Sequence, residues 1–126
     1  MNKEFVPYQP SLDLKELGFD EPCFGYYNGQ GNYIGEEGKT NSNCNKLGMH
    51  GTYCTAPTFS QSFRWFREKC GLCSWITMEL GNKSTFCWVL SGEHTSTQYA
   101  AYFHTYEEAE LACLIALIVI VKNKKR

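Results

Sequence analysis

Residues 111–121 contain no polar side chain in eleven consecutive positions. The run is framed by a start signal and a stop signal. Thr105 with Glu108 three residues on forms a capping box, and Glu107 and Glu110 add negative charge near the positive end of a helix dipole. Lys122, Lys124, Lys125 and Arg126 mark the other end. As a helix the run is about 16 Å long, roughly half the hydrocarbon core of a bilayer. It therefore predicts a buried helix in a soluble chain with no membrane partner. With apolar residues on every side, such a helix must be covered on more than one face, by the rest of its domain or by another subunit. A homo-oligomer with Leu114, Ile118 and Val121 at its interface is the expectation.

The 43% hydrophobic and 15% aromatic content suits one core in a chain of 126 residues, which excludes a disordered protein and predicts a single domain over residues 1–126. The formal charge is −1, but four of the twelve bases lie in the tail 122–126. Residues 1–121 carry eight bases and thirteen acids, a balance of −5. A net acidic body with a short basic tail argues against a broad phosphate-binding face, so nucleic acid is a disfavoured partner. Glu4 and Pro7 interrupt the N-terminal stretch where a secretory leader needs apolar continuity, and the seven cysteines are odd in number. The expectation is a cytoplasmic protein with reduced thiols.

The hydrophobic patterning predicts an α+β fold, an antiparallel sheet with helices packed on one face. Residues 10–19 read as a short helix capped by Ser11 and ended by Gly18. Residues 23–27 and 32–34, joined through Asn28-Gly29, read as a hairpin. Residues 35–56 lack any hydrophobic period and read as a long polar loop. Thr58 and Gln61 make a second capping box before a helix over 59–69, with Phe59, Phe63 and Phe66 on one face and Gly71 at its end. Strands follow over 74–80, 84–90 and 97–103, giving the C-terminal half the order α-β-β-β-α.

Three of these segments carry a family resemblance. They are 14–27, from Leu14-Lys15-Glu16-Leu17-Gly18-Phe19 to Gly25-Tyr26-Tyr27; 56–69, which contains Phe63-Arg64-Trp65-Phe66-Arg67; and 105–114, opening Thr105-Tyr106-Glu107-Glu108. In them the chain resembles an uncharacterised family of small proteins from phages and prophages of Bacteroidetes. The resemblance implies a phage origin, and hence the cytoplasm of a bacterial host, without implying an activity. The resemblance implies an amphipathic last helix and does not include the Cys70/Cys73 pair, so it carries no family-wide role for the apolar helix or for that pair. The α-β-β-β-α order also looks like the double-stranded-RNA-binding domain, but Glu107, Glu108 and Glu110 stand where that domain has lysines.

Arg64, Trp65 and Arg67 combine guanidinium groups with an indole, residue types that grip anions and dock on proteins, and with Tyr26 and Tyr27 they form the candidate ligand or partner surface. The competing reading packs Trp65 in the core and pairs the arginines with nearby acids. Cys70 and Cys73 form a C-x-x-C that, with Cys44 and Cys54, has the donors for a structural zinc; the spacing is non-standard, and unrelated thiols without cofactor are the favoured alternative. His94 and His104 have no legible nucleophile or carboxylate constellation around them, so the chain reads as a non-enzymatic binding protein. A phage accessory protein that binds a host protein or an anionic small molecule, in an anti-defence or sequestering role, is the leading expectation. A nucleic-acid-binding domain and a structural virion component are the alternatives.

Overall fold

The structure, a computed structural model, describes residues 4–35, 52–79, 85–93 and 95–124. The fold is α+β, with three helices and two antiparallel three-stranded sheets. The chain divides into two compact units, Met1–Gln61 and Ser62–Arg126.

In the first unit α1 (Tyr8–Glu16) is followed by β1 (Gly25–Tyr27), β2 (Tyr33–Gly35) and β3 (Cys54–Thr55), with β1 central between the other two. Ser11 does not cap α1. The N-cap is Pro7, and Ser11 lies inside the helix with its hydroxyl donating to the Val6 carbonyl at 3.2 Å. Val6 precedes the N-cap, so its carbonyl lies outside the helical ladder, which opens with the Ser11 amide donating to the Pro7 carbonyl at 3.1 Å, and side chains satisfy it instead. Gly18 ends the helix at φ +102, which a side chain at that position would resist. The hairpin turn is held by Asn28, whose Oδ1 accepts from the amides of Gln30 and Asn32 at 2.9 and 3.1 Å. Tyr27, Cys54 and Ala56 form the core beneath α1, with Tyr8, Leu12 and Tyr33 around them. The short β3 falls where the polar loop was expected to continue, and it pairs with β1 through Tyr26↔Thr55 and Tyr27↔Cys54. The rest of that loop, residues 36–51, lies outside the described residues.

α2 (Phe59–Cys70) begins in the first unit and ends in the second. Its capping box forms as the sequence predicts: the Gln61 amide donates to Thr58 Oγ1 at 3.1 Å, and the Thr58 amide to Gln61 Oε1 at 3.0 Å. Gly71 at φ +66 lets the chain leave the helix directly into β4.

The second unit continues with β4 (Leu72–Glu79), β5 (Thr85–Gly92), β6 (Thr95–Phe103) and α3 (Tyr106–Lys124), so the order α-β-β-β-α stands. The sheet runs β4-β5-β6. α3 packs against all three strands. Register decides which side it covers. Leu72, Ser74 and Ile76 of β4 share a face with Phe86, Trp88 and Leu90 of β5, and Leu72, Trp88 and Leu90 are buried there. The ring of Phe86 meets Tyr106 edge-on at 6.1 Å, and Ser74 hydrogen-bonds the Cys113 thiol. Thr105 caps α3 through the Glu108 amide at 3.1 Å. Lys122 and Lys124 belong to the last turn of α3, and Lys124 donates to Thr95 Oγ1 at 2.9 Å, while the rest of the basic tail, residues 125–126, lies outside the described residues. No described helix is long and apolar enough to cross a membrane.

Candidate functional site

Arg64 and Arg67 sit on α2 one turn apart, both exposed. Trp65 does not join them. It is 5% exposed and packs edge-on against Phe66, with ring centroids 5.1 Å apart. The buried side of α2 is wider than the three phenylalanines suggested, because Ser62, Trp65 and Phe66 all lie on it. The indole is thus a core residue, and the arginines remain as an exposed cationic stripe on α2.

The tyrosines separate for a different reason. Successive residues of a strand point to opposite faces, so Tyr26 and Tyr27 cannot line one surface. Tyr27 is fully buried, donates its hydroxyl to the Val6 carbonyl at 2.5 Å, and is pushed up to about 12 by burial, with smaller contributions from Cys54 and Tyr33. Tyr26 is half-buried on the other face and stacks on Tyr53 at 6.3 Å and 26°.

The expected oligomer-interface residues are also internal. Leu114, Ile118 and Val121 are buried within the chain, on the side of α3 shared with Ala109, Cys113 and Leu117. The sheet and helix of the chain itself supply cover that the sequence assigned in part to a second subunit. Ile115 and Val119, one turn apart, are the large apolar residues that α3 leaves exposed.

Cys54 is buried in the first unit, whereas Cys70 and Cys73 belong to the second, and Cys44 lies outside the described residues. All six described cysteines are thiols. Among the described residues no group of three or more His, Cys, Asp or Glu is placed to hold a metal ion. Cys113 has its thiol pushed up to about 11, chiefly by burial, against the opposing hydrogen bond from Ser74. A thiol so placed is a packing residue and a poor nucleophile at neutral pH.

The surface that stands out was not singled out from the sequence. The second face of β4-β5-β6, opposite α3, carries Cys73, Trp75 and Thr77 from β4, Cys87, Val89 and Ser91 from β5, and Thr97 and Tyr99 from β6. Trp75, Val89 and Tyr99 lie in one cross-strand row. Trp75 is 50% exposed and Tyr99 72% exposed, about 10 Å apart across two strand spacings. Thr97 donates to Ser91 Oγ at 3.3 Å beside them. Glu79, at the end of β4, is the charged residue on this face among those described in these strands, and its carboxylate helps raise the Cys87 thiol, after burial.

Compared with family models, curated proteins and solved structures, the chain matches none.

What remains is chemistry. A sheet face with two large exposed aromatic rings and Glu79 as its one charge among the described strand residues offers area, stacking and hydroxyl hydrogen bonds, and among those residues it carries none of the cations that a polyanion requires. The Arg64/Arg67 stripe offers the reverse, two exposed positive charges on one helix. Glu107 and Glu108 are exposed at the start of α3, and Glu110 is held above the usual carboxylate range by burial and then by Glu107. That cluster repels phosphate where an RNA-binding analogue would need to attract it.

Proposed function

We propose that the chain is a small, non-enzymatic phage accessory protein that acts by docking on a protein of the bacterial host through the open face of β4-β5-β6. The observation that carries this reading is the row Trp75-Val89-Tyr99, two largely solvent-facing aromatics flanking a β-branched residue on a flat, nearly uncharged sheet surface. Tryptophan and tyrosine are the residue types that most often dominate protein interfaces, because each buries a large rigid area at low entropic cost. The phage assignment rests on the resemblance in residues 14–27, 56–69 and 105–114.

The test is affinity capture from a Bacteroidetes lysate with the wild-type chain and with a Trp75→Ser/Tyr99→Ser variant. A host protein held at stoichiometric ratio by the wild type and lost by the folded variant supports the reading. Equal retention by both proteins refutes it.

A second reading is favoured by one separate observation, the two exposed guanidinium groups of Arg64 and Arg67 on adjacent turns of α2. They suit an anionic small molecule. Thermal stabilisation by members of a nucleotide panel, abolished in Arg64→Ala/Arg67→Ala and retained in the sheet variant, would favour that ligand class over a host protein. The nucleic-acid alternative predicts steeply salt-dependent binding to duplex RNA.

A further inference from the structure

The two edges of the second sheet are unlike each other. β6 is interrupted: its pairing with β5 shifts register between Phe86 and Trp88 and again between Leu90 and Gly92, and Tyr102 within it takes φ +72. Bulges and local twist of this kind are what keep an edge strand from pairing further. β4 has none of these devices. It pairs with β5 over eight residues, from Leu72↔Gly92 to Glu79↔Thr85, without a register shift. It contains no proline, lysine or arginine, and its one charge, Glu79, lies at its end. Among the described residues no strand pairs with its outer edge. A regular edge of this length, with its one charge at its end, is a template for another strand.

We propose that this strand is a second copy of β4, paired antiparallel about a two-fold axis at Trp75, so that two chains form one six-stranded sheet. The sequence of β4 is self-complementary in that register. Trp75 lies opposite the partner's Trp75, Cys73 opposite the partner's Thr77, Ser74 opposite the partner's Ile76, and Leu72 opposite the partner's Met78. No like charges meet, because Glu79 falls opposite the partner's Gly71. Directly opposed residues of an antiparallel pair share a face, so both copies of α3 lie on one side and the two open faces merge on the other. The exposed indole then occupies the seam, which accounts for a half-exposed tryptophan near the middle of a bare edge. This inference stands on the edge of the sheet and is independent of what docks on its face.

The experiment uses the full chain. Native mass spectrometry and sedimentation at micromolar concentration should give a dimer. Thr77→Lys, which puts a charge on the proposed seam at an exposed position, should weaken dimerisation at least about tenfold while the circular dichroism and unfolding midpoint of the chain are retained. Ile115→Lys, on the exposed side of α3, should leave the dimer intact. Thr77→Cys, oxidised with glutathione disulfide as the two-electron acceptor, should form a covalent dimer linked between Cys73 and the introduced thiol. A monomeric wild type overturns the proposal, as does a dimer that survives Thr77→Lys and dissociates with Ile115→Lys.

Discussion

The Val6 carbonyl offers a direct test of how the first unit is held together. It is buried, it follows a bridge in which the Val6 amide donates to the Pro57 carbonyl at 2.9 Å, and it accepts from both Ser11 Oγ and the Tyr27 hydroxyl. Val6 precedes the Pro7 N-cap, so the helix ladder provides no donor for it and these side chains satisfy it. Either donor alone keeps the carbonyl satisfied. Ser11→Ala and Tyr27→Phe should therefore each cost about 1 kcal/mol, the net worth of one neutral hydrogen bond. Tyr27→Phe retains the ring and its edge contacts with Tyr8 at 5.5 Å and Tyr33 at 6.0 Å. Removing both donors strands a buried acceptor, which costs a further ~1–3 kcal/mol. The double variant should exceed the sum of the single losses by that amount. Urea unfolding of the four proteins at pH 7, with slopes shown to be equal, measures the coupling. Additivity within about 0.5 kcal/mol would refute the claim that the two hydroxyls share one acceptor.

Two other outcomes follow from burial and charge. Glu110 is raised by burial and by Glu107, so its folded form resists ionisation; stability tied to it is complete at acid pH and lost as pH rises through its folded value. Glu110→Gln should raise the melting temperature at pH 7, with the gain shrinking as pH falls through the raised folded value and gone below about 4.3, and an unchanged melting temperature at pH 7 would contradict this. Among the described thiols, a charged alkylating reagent at pH 7.5 should modify exposed Cys73 within minutes and leave buried Cys113 intact until unfolding, as read by peptide mass mapping.

Local signals made much of this fold legible. Thr58 with Gln61 and Thr105 with Glu108 announce their helices because the capping side chains act within one turn, and Gly18 and Gly71 mark ends because the left-handed residue is required on the spot. Failures came where a distant element decides. β3 is two residues long, too short for any period, and exists because β1 offers it an edge. Ser11 carries the local mark of a cap, yet the helix starts one turn earlier at Pro7, and the Ser11 hydroxyl donates to the Val6 carbonyl instead. Helical spacing puts Trp65 off the face of the phenylalanines and leaves both a surface and a core position open to it, and the core position holds because burial on α2 extends beyond that stripe. The open aromatic face had a signal in the sequence. Ile76 and Met78 share one side of β4, so Cys73, Trp75 and Thr77 share the other, and only the placement of α3 tells which side is left bare.

The central claim is that the Trp75-Val89-Tyr99 row is the docking surface for a host protein. Its most direct test is quantitative affinity mass spectrometry from Bacteroidetes lysate, comparing the wild-type chain, Trp75→Ser/Tyr99→Ser and Arg64→Ala/Arg67→Ala at matched amounts and verified folding. The account predicts one host protein retained by the wild type and by the arginine variant and absent from the sheet variant. The same protein retained by the sheet variant and lost from the arginine variant would contradict it, and would move the functional surface to α2.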